Sequence, residues 1–352
     1  FETTAQMRKI IPYTLILLFF SCKKNEPLPS PDAYEDGILV LNEGLFQQNN
    51  ASLSFYSVSD AQEFQQCFLA ENERGLGDTA NDFEKFSLNG KDFVIIAVDV
   101  SSQLEIVEAL TLKSVVQIPV LNGSESREPR HVVVKDTKAY SSNFDGTVSV
   151  VNLLTNSIEK TISVGRNPDG MIIRGDALYV ANSGGLDAPN YDSTVSVIDL
   201  NSETVVQTID ARINLGEMCA DGQGELYVHS KGNYSDVNPA WVRISPSNEV
   251  LAIYERNFTA WTYSNDRIYY YDMDAEGIYR FNTITETFDS DQLIDCSSYD
   301  IPYSITVRNN YIYVSDANGY VNSSTIHCYD LNGNEQYQFT AGLNANEIII
   351  NE

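Results

Sequence analysis

Thr147-Val148-Ser149-Val150-Val151 recurs as Thr194-Val195-Ser196-Val197-Ile198, and the likeness extends to both sides of these segments. "PRHVVVKDTKAYSSNFDGTVSVVNLLTNSIEKTISVG" and "GRNPDGMIIRGDALYVANSGGLDAPNYDSTVSVIDLNSETVVQTI" share one order of elements: turn, short strand, turn, aromatic strand, loop, Val-rich strand, Asn/Ser turn, strand. Alternation with period two marks strands, and the Asn, Gly and Asp clusters between them mark hairpin turns. Weaker copies stay in phase. They are "GILVLNEG" with "ASLSFYSV", "KDFVIIAVD" with "SQLEIVEA", "GELYVHS" with "AWVRISP", "DRIYYYDM" with "EGIYRFNT", and "NYIYVSDA" with "STIHCYDLNGN". A period of roughly 40 residues with four strands per unit predicts an all-β chain: a seven-bladed β-propeller of four-stranded antiparallel blades. The length agrees, because one conventional core stops growing near ~250–300 residues and a repeat ring does not.

The chain end predicts how the ring closes. "GLNANEIIINE" aligns with "GRNPDGMIIRG", which opens the fourth unit, whereas the first unit begins at Gly37 without an opening strand. The C-terminal segment is therefore expected to pair into blade one and leave no open sheet edge between the first and last blades. The propeller is expected over residues 37–352.

Residues 1–21 have another character. Met7-Arg8-Lys9 is basic, Ile10 to Phe20 is apolar, and Ser21 is small. This is the layout of a secretory signal, and the apolar run is shorter than the ~20 residues of a spanning helix. The six residues ahead of Met7 read as an upstream extension. Leu18-Phe19-Phe20-Ser21-Cys22 resembles the lipobox of bacterial lipoproteins, with Phe19 where that motif usually carries Leu. The resemblance makes Cys22 the lipidation site. Lys23-Lys24-Asn25-Glu26 resembles the leaders of Bacteroidetes lipoproteins, several of which reach the cell surface. Residues 22–36, with Pro27, Pro29 and Pro31, then form a stiff tether between anchor and propeller.

A net charge of −27 excludes the basic footprint that nucleic-acid binding requires. The five cysteines include no C-x-x-C pair, so no zinc site is expected. Cys67, Cys219, Cys296 and Cys328 read as buried thiols, with a Cys296–Cys328 bridge left open. The three histidines, His131, His229 and His327, form no local ligand pair, and no catalytic residue is assigned. Asp272-Met273-Asp274-Ala275-Glu276-Gly277 lacks the spacing of an EF-hand and reads as a solvated acidic loop, and no metal site is expected. Asp78-Thr79-Ala80 and Asp192-Ser193-Thr194 resemble a Bacteroidetes O-glycosylation sequon.

"STVSVIDLNSETVVQTI" and "NPDGMIIRGDALYVANS" resemble the repeats of YncE-like propellers, and "LNEGLFQQNNASLSFY" resembles the opening of a Bacteroidetes lipoprotein group within that superfamily. One branch of that group, the BtuG-like proteins, captures cobalamin at the cell surface and passes it to a TonB-dependent outer-membrane transporter. The resemblance implies a surface lipoprotein that is not an enzyme, has no resident cofactor, and carries cobalamin or a related corrinoid as its transported ligand. It also implies an outer-membrane location through the lipid anchor. The alternatives are a lipoprotein propeller for a glycan or metal chelate, a protein-interaction module, and a lactonase-type enzyme working through His131.

In a propeller, the loops joining strands two and three emerge on the same face as the loops between blades, and both sets are long here. Phe83, Arg130, Asp169, Tyr303 and Asn346 are expected at the channel mouth. Phe46, Phe144, Tyr191, Tyr234, Trp241, Trp261 and Tyr320 are the candidate outer contacts. Aromatic rings suit the apolar faces of a flat ligand, and Asn and Arg suit an amide rim. A local basic cluster of Arg127, Arg130 and Arg166 would be needed to hold an anionic chelate.

Overall fold

The computed structural model describes residues 34–351. The segments expected as signal and tether, up to residue 33, and the expected lipidation site Cys22 lie outside the described residues. Seven antiparallel sheets form the ring. Blade 2 is Ala80–Leu88, Lys91–Val98, Gln103–Glu108 and Ser114–Pro119, numbered from the channel outward. Blades 3 and 4 open with Pro129–Lys135 and Pro168–Arg174, and blades 5, 6 and 7 with Leu215–Ala220, Phe258–Ser264 and Pro302–Arg308.

The expected closure is present. Ala345–Asn351 is the innermost strand of blade 1 and pairs antiparallel with Gly37–Asn42, with Ile38 opposite Ile350 and Val40 opposite Ile348. The folded body also takes in Tyr34, ahead of Gly37. Its ring meets Phe55 edge-on at 5.3 Å, and its amide donates to the Leu110 carbonyl. Two blades depart from the four-strand pattern at their rims. Blade 1 has only Gln62–Phe64 outside, followed by a helix, Cys67–Asn72, that buries Cys67 and Phe68 against the sheet. Blade 6 has only Thr287–Phe288 outside, and Ile294–Asp295 also pairs with its third strand.

The repeated Thr-Val-Ser-Val owes its alternation to packing on two sides. The third strand of a blade is covered by neighbouring blades on both faces, so Ser149 and Ser196 are as buried as the valines. Buried hydroxyls need partners, and an asparagine ending the second strand supplies them. Asn143 Nδ2 donates to Thr147 Oγ1 and Ser149 Oγ, both at 3.0 Å, and Asn182 donates to Thr194 and Ser196 at the same distances. Asn42 reaches Ser52 and Ser54 in blade 1. The Asn182 side-chain oxygen Oδ1 accepts the Gly165 amide at 3.1 Å, and a Cβ at Gly165 would come within 2.4 Å of the Asn182 Cγ.

Asn182→Ala is therefore expected to destabilise the protein by about 1–3 kcal/mol through unsatisfied buried groups. Gly165→Ala should destabilise by steric conflict. Because the first change removes the Asn182 Cγ and Nδ2 but leaves its Cβ 2.7 Å from the added methyl, the double variant should relieve part of the conflict and cost somewhat less than the sum. Urea midpoints of the four proteins check this, and strict additivity would disprove the contact.

Cys67, Cys219, Cys296 and Cys328 are free thiols, so the Cys296–Cys328 bridge is not formed. Three are buried in blade interfaces, while Cys219 is half-buried on the channel wall.

Candidate functional site

Each innermost strand begins with an irregularity where it leaves the loop-rich face. Pairing with the second strand slips between Ala80 and Asp82, Pro129 and His131, Pro168 and Met171, Leu215 and Met218, Phe258 and Trp261, and Pro302 and Ser304. A bulge of this kind re-aims side chains. Here it gives each blade two consecutive residues at the mouth: Asn81-Asp82, Arg130-His131, Asp169-Gly170, Gly216-Glu217, Thr259-Ala260, Tyr303-Ser304 and Asn346-Glu347. Many of them line a cavity of about 390 Å³ along the channel.

The next residue turns back into the blade interface. Phe83, Val132, Met171, Trp261, Ile305 and Ile348 occupy that position and are all buried. Two candidates are corrected by this register. Phe83 packs in the core between blades 1 and 2, and Asn81 holds the mouth position expected for it. Trp261 belongs to the core between blades 5 and 6 and contributes only part of the channel wall. Trp241 is fully buried in the same cluster, 4.2 Å from Phe258, and takes no place on the exposed face.

Arg130, Phe144 and Asp169 do come together. The Arg130 guanidinium lies 4.5 Å from the Phe144 ring centroid, bonds Asp99 at 2.7 Å and stands 3.9 Å from Asp169. Lys231 completes the group, 2.7 Å from Asp169. Burial alone would raise the Asp169 carboxyl, but Lys231 and Arg130 outweigh it and hold the group at about 2. Tyr303 donates to Glu43, whose carboxyl is pushed up to about 7 by burial despite that bond and the nearby Arg130. Asn346 donates to the Asn81 carbonyl at 2.7 Å and so spans blades 1 and 2.

Glu217 and Glu347 add two more carboxyls. Glu217 is open to channel water yet ringed by protein, and burial raises its carboxyl while Lys231 works against the rise. Glu347 is raised by burial and by Asp82, which itself accepts the Val132 amide and faces His131 Nδ1 at 3.3 Å. The mouth is thus a charge network dominated by carboxylates, with Arg130 and Lys231 committed to them. The basic cluster that an anionic chelate would need is not formed. Arg127 pairs with Asp145, Arg130 with Asp99, and Arg166 with Asp187.

The outer candidates divide by exposure. Phe46 (68% exposed), Tyr234 (78%) and Tyr320 (46%) stand on loops of blades 1, 5 and 7. Tyr320 meets Tyr303 edge-on at 5.8 Å, so an outer contact and a mouth residue touch. Phe144 and Tyr191 are half-buried. Asp78 and Asp192, from the two sequon-like segments, cap loops: Asp78 accepts the Gln47 and Asn49 amides, and Asp192 those of Arg166 and Thr194. Asp272 likewise caps its own turn. No group of three or more His, Cys, Asp or Glu has metal-holding geometry among the described residues.

Glu43, Asp82, Asp99, Glu217, Lys231 and Glu347 were not among the sequence candidates. Asp82, Glu217 and Glu347 follow from the repeat alignment by stepping one residue past the opening position. Glu43, Asp99 and Lys231 sit where a second strand runs into its loop, which the alignment also marks.

Similarity to known proteins bears mainly on the fold. No curated protein matches the chain. Among solved structures it is similar to a quinonprotein alcohol dehydrogenase-like protein from Bacteroides thetaiotaomicron, at 15% identity and TM-score 0.66, covering 91% of this chain and 79% of that one. It is also similar to the hydrazine synthase of Kuenenia stuttgartiensis, at 19% identity and TM-score 0.59, covering 72% and 76%. A third similar structure is the computationally designed Ika8 protein, at 11% identity and TM-score 0.53, covering 76% and 88%. At these identities the likeness concerns the fold alone. The model of a domain of unknown function, DUF5074, matches residues 36–351, and the chain belongs to that family.

Proposed function

We propose that this propeller is a capture protein for a large, flat, amide-fringed small molecule, with cobalamin or a related corrinoid as its ligand. In this reading Cys22 anchors the chain to the outer membrane, and the loaded loop-rich face delivers the ligand to a TonB-dependent transporter. The observation that carries the reading is the pairing of exposed rings with a polar, carboxylate-rich mouth on one face. Phe46, Tyr234 and Tyr320 offer surfaces for stacking. The mouth beneath offers the amides of Asn81 and Asn346, each with one donated bond already made, and the Tyr303 hydroxyl as an acceptor, while its cations are already paired. A cavity of about 390 Å³ admits part of such a ligand, so the bulk would rest on the face. The committed arginines also weigh against an anionic chelate.

Purified protein is expected to bind cobalamin saturably at one site, followed by the ligand's visible absorption. Phe46→Ala, Tyr234→Ala and Tyr320→Ala combined should weaken binding at least about tenfold, since each ring contributes roughly 0.5–1.5 kcal/mol beyond its buried area. These side chains are exposed, so the fold should persist. Absence of a spectral change at micromolar cobalamin would reject the ligand. His131 beside Asp82 in the channel favours the enzymatic alternative. Lactone ring-opening by the purified protein, lost in His131→Ala, would move the reading there.

A further inference from the structure

A second cavity, of about 500 Å³, opens between blades 5 and 6 beside the channel, and Thr259 lines both spaces. Its walls are largely apolar: Tyr234, Val237, Pro239, Phe258 and Met273. His229 is set among them, with Lys231, Ser235, Asn238, Asn257 and Thr259 as the other polar residues of the lining. It is 6% exposed, and its Nε2 is buried without a hydrogen-bond partner. Its ring rests 4.7 Å from Phe258 and 6.3 Å from Trp261. An imidazole enclosed in this way stays uncharged: burial, followed by the nearby Lys231, brings it down to about 3. A neutral imidazole always carries one donor and one acceptor, and a buried nitrogen without a partner costs free energy that a suitable ligand group returns.

The walls are held in place before any ligand arrives. Asn233 Oδ1 accepts the amides of Ser235, Asp236 and Val237, fixing the loop that carries Tyr234. Gly232 turns that loop at φ +68°, where a Cβ would meet the Val237 carbonyl oxygen at 2.1 Å. Lys231 is tied to Asp169 and brings no free charge. Tyr234 and Met273 (45% exposed) form an open lip, a ring and a thioether both suited to aromatic contact. A preformed, apolar, charge-neutral pocket with one unsatisfied imidazole has a definite complement.

We propose that this pocket is a binding site for a flat, uncharged heteroaromatic group, covered by Tyr234 and hydrogen-bonded to His229. The site shares Tyr234 with the corrinoid reading, but it stands on its own geometry around His229, a residue that reading does not use. Failure of cobalamin to bind leaves it untouched, and failure of the pocket leaves cobalamin capture on the wider face untouched.

The chain's two tryptophans, Trp241 and Trp261, both pack on Phe258 or His229, so intrinsic fluorescence reports on this place. The full chain would be titrated with adenine, with adenosine monophosphate as the anionic control and cyclohexanol as the non-aromatic one. Saturation-transfer NMR would run in parallel. Adenine is expected to bind saturably and to shift the tryptophan emission, with each control at least fivefold weaker. Tyr234→Ala, a surface change, should weaken adenine at least threefold. His229→Phe should weaken it at least fivefold while leaving the circular dichroism spectrum unchanged. Equal binding of adenine and cyclohexanol, adenine binding indifferent to Tyr234→Ala, or no saturable binding at millimolar adenine would each overturn the proposal.

Discussion

Deleting residues 344–352 is expected to abolish the stable monomer, because those residues are one strand of a blade whose other strands come from the opposite end of the chain. Ile348 is buried against Ile38 and Val40, and Ile349 packs on the core shared by blades 1 and 2. Burying side chains of this size contributes roughly 1.5–3 kcal/mol each. The strand is also pinned at its end. Asn351 is fully buried, and its amide donates to the Tyr34 carbonyl at 2.6 Å and the Ala109 carbonyl at 2.7 Å. Together these contacts reach a large share of the ~5–15 kcal/mol that holds a typical native protein. The deletion also bares Gly37–Asn42 as an unpaired edge, a template for pairing with other chains. Size-exclusion chromatography should show oligomers or aggregate, and thermal circular dichroism should show loss of a single cooperative transition. A synthetic peptide of residues 342–352 added in excess should restore the monomer. A truncated protein that stays monomeric and melts as the full chain does would refute this account of closure.

The closure was legible because "GLNANEIIINE" repeats an opening that the first unit lacks, an alignment separate from the count of repeat units that gave seven blades. The rims were less legible. The helix at Cys67–Asn72 and the broken outer strand of blade 6 occupy positions where the ring imposes little, and local packing decides them. At the mouth, the alignment found Arg130, Asp169, Tyr303 and Asn346 because proline or alanine precedes each at the start of its strand. It failed at blade 2, where Phe83 is the conspicuous residue but Asn81 is in register. Simple alternation predicts one mouth residue per strand. The bulge supplies two, and so hid Asp82, Glu217 and Glu347. Nor does an aromatic in a loop-rich segment declare its direction. Tyr234 points outward and Trp241 inward because Trp241 lies within the strand Ala240–Ile244, where both faces are covered.

Replacing Arg130 with Met should cost about 3–5 kcal/mol at pH 8, the penalty for breaking a buried charge network from one side. Asp99 loses its 2.7 Å partner, and Asp169 keeps only Lys231. The cost should depend on pH, with a sign set by the carboxyls around it. Burial pushes Glu43, beside Arg130, from the ordinary carboxylate range to about 7, and does the same to Glu84, which lies farther along the innermost strand of blade 2 and accepts the Val134 amide. A folded-state value above the unfolded one means that the folded protein holds protons the unfolded chain has released. Stability therefore falls as pH rises from about 4.5 to 7. Asp169 acts the other way: held at about 2, it contributes stability above the unfolded value that is lost as pH falls towards 2. The wild-type protein should accordingly be most stable near pH 4–5. Without Arg130, Glu43 loses an attraction that favours its ionised form and stays protonated to higher pH, so the decline above pH 5 steepens. The deficit of the variant should be smallest near pH 5 and largest at pH 8, measured as urea midpoints at pH 5, 6.5 and 8. Arg166→Met, which breaks a half-exposed pair with Asp187, is the control and should cost under about 1 kcal/mol at every pH. If Arg130→Met costs no more than that control, or costs the same at pH 5 and 8, the mouth network does not hold these carboxyls as the distances indicate.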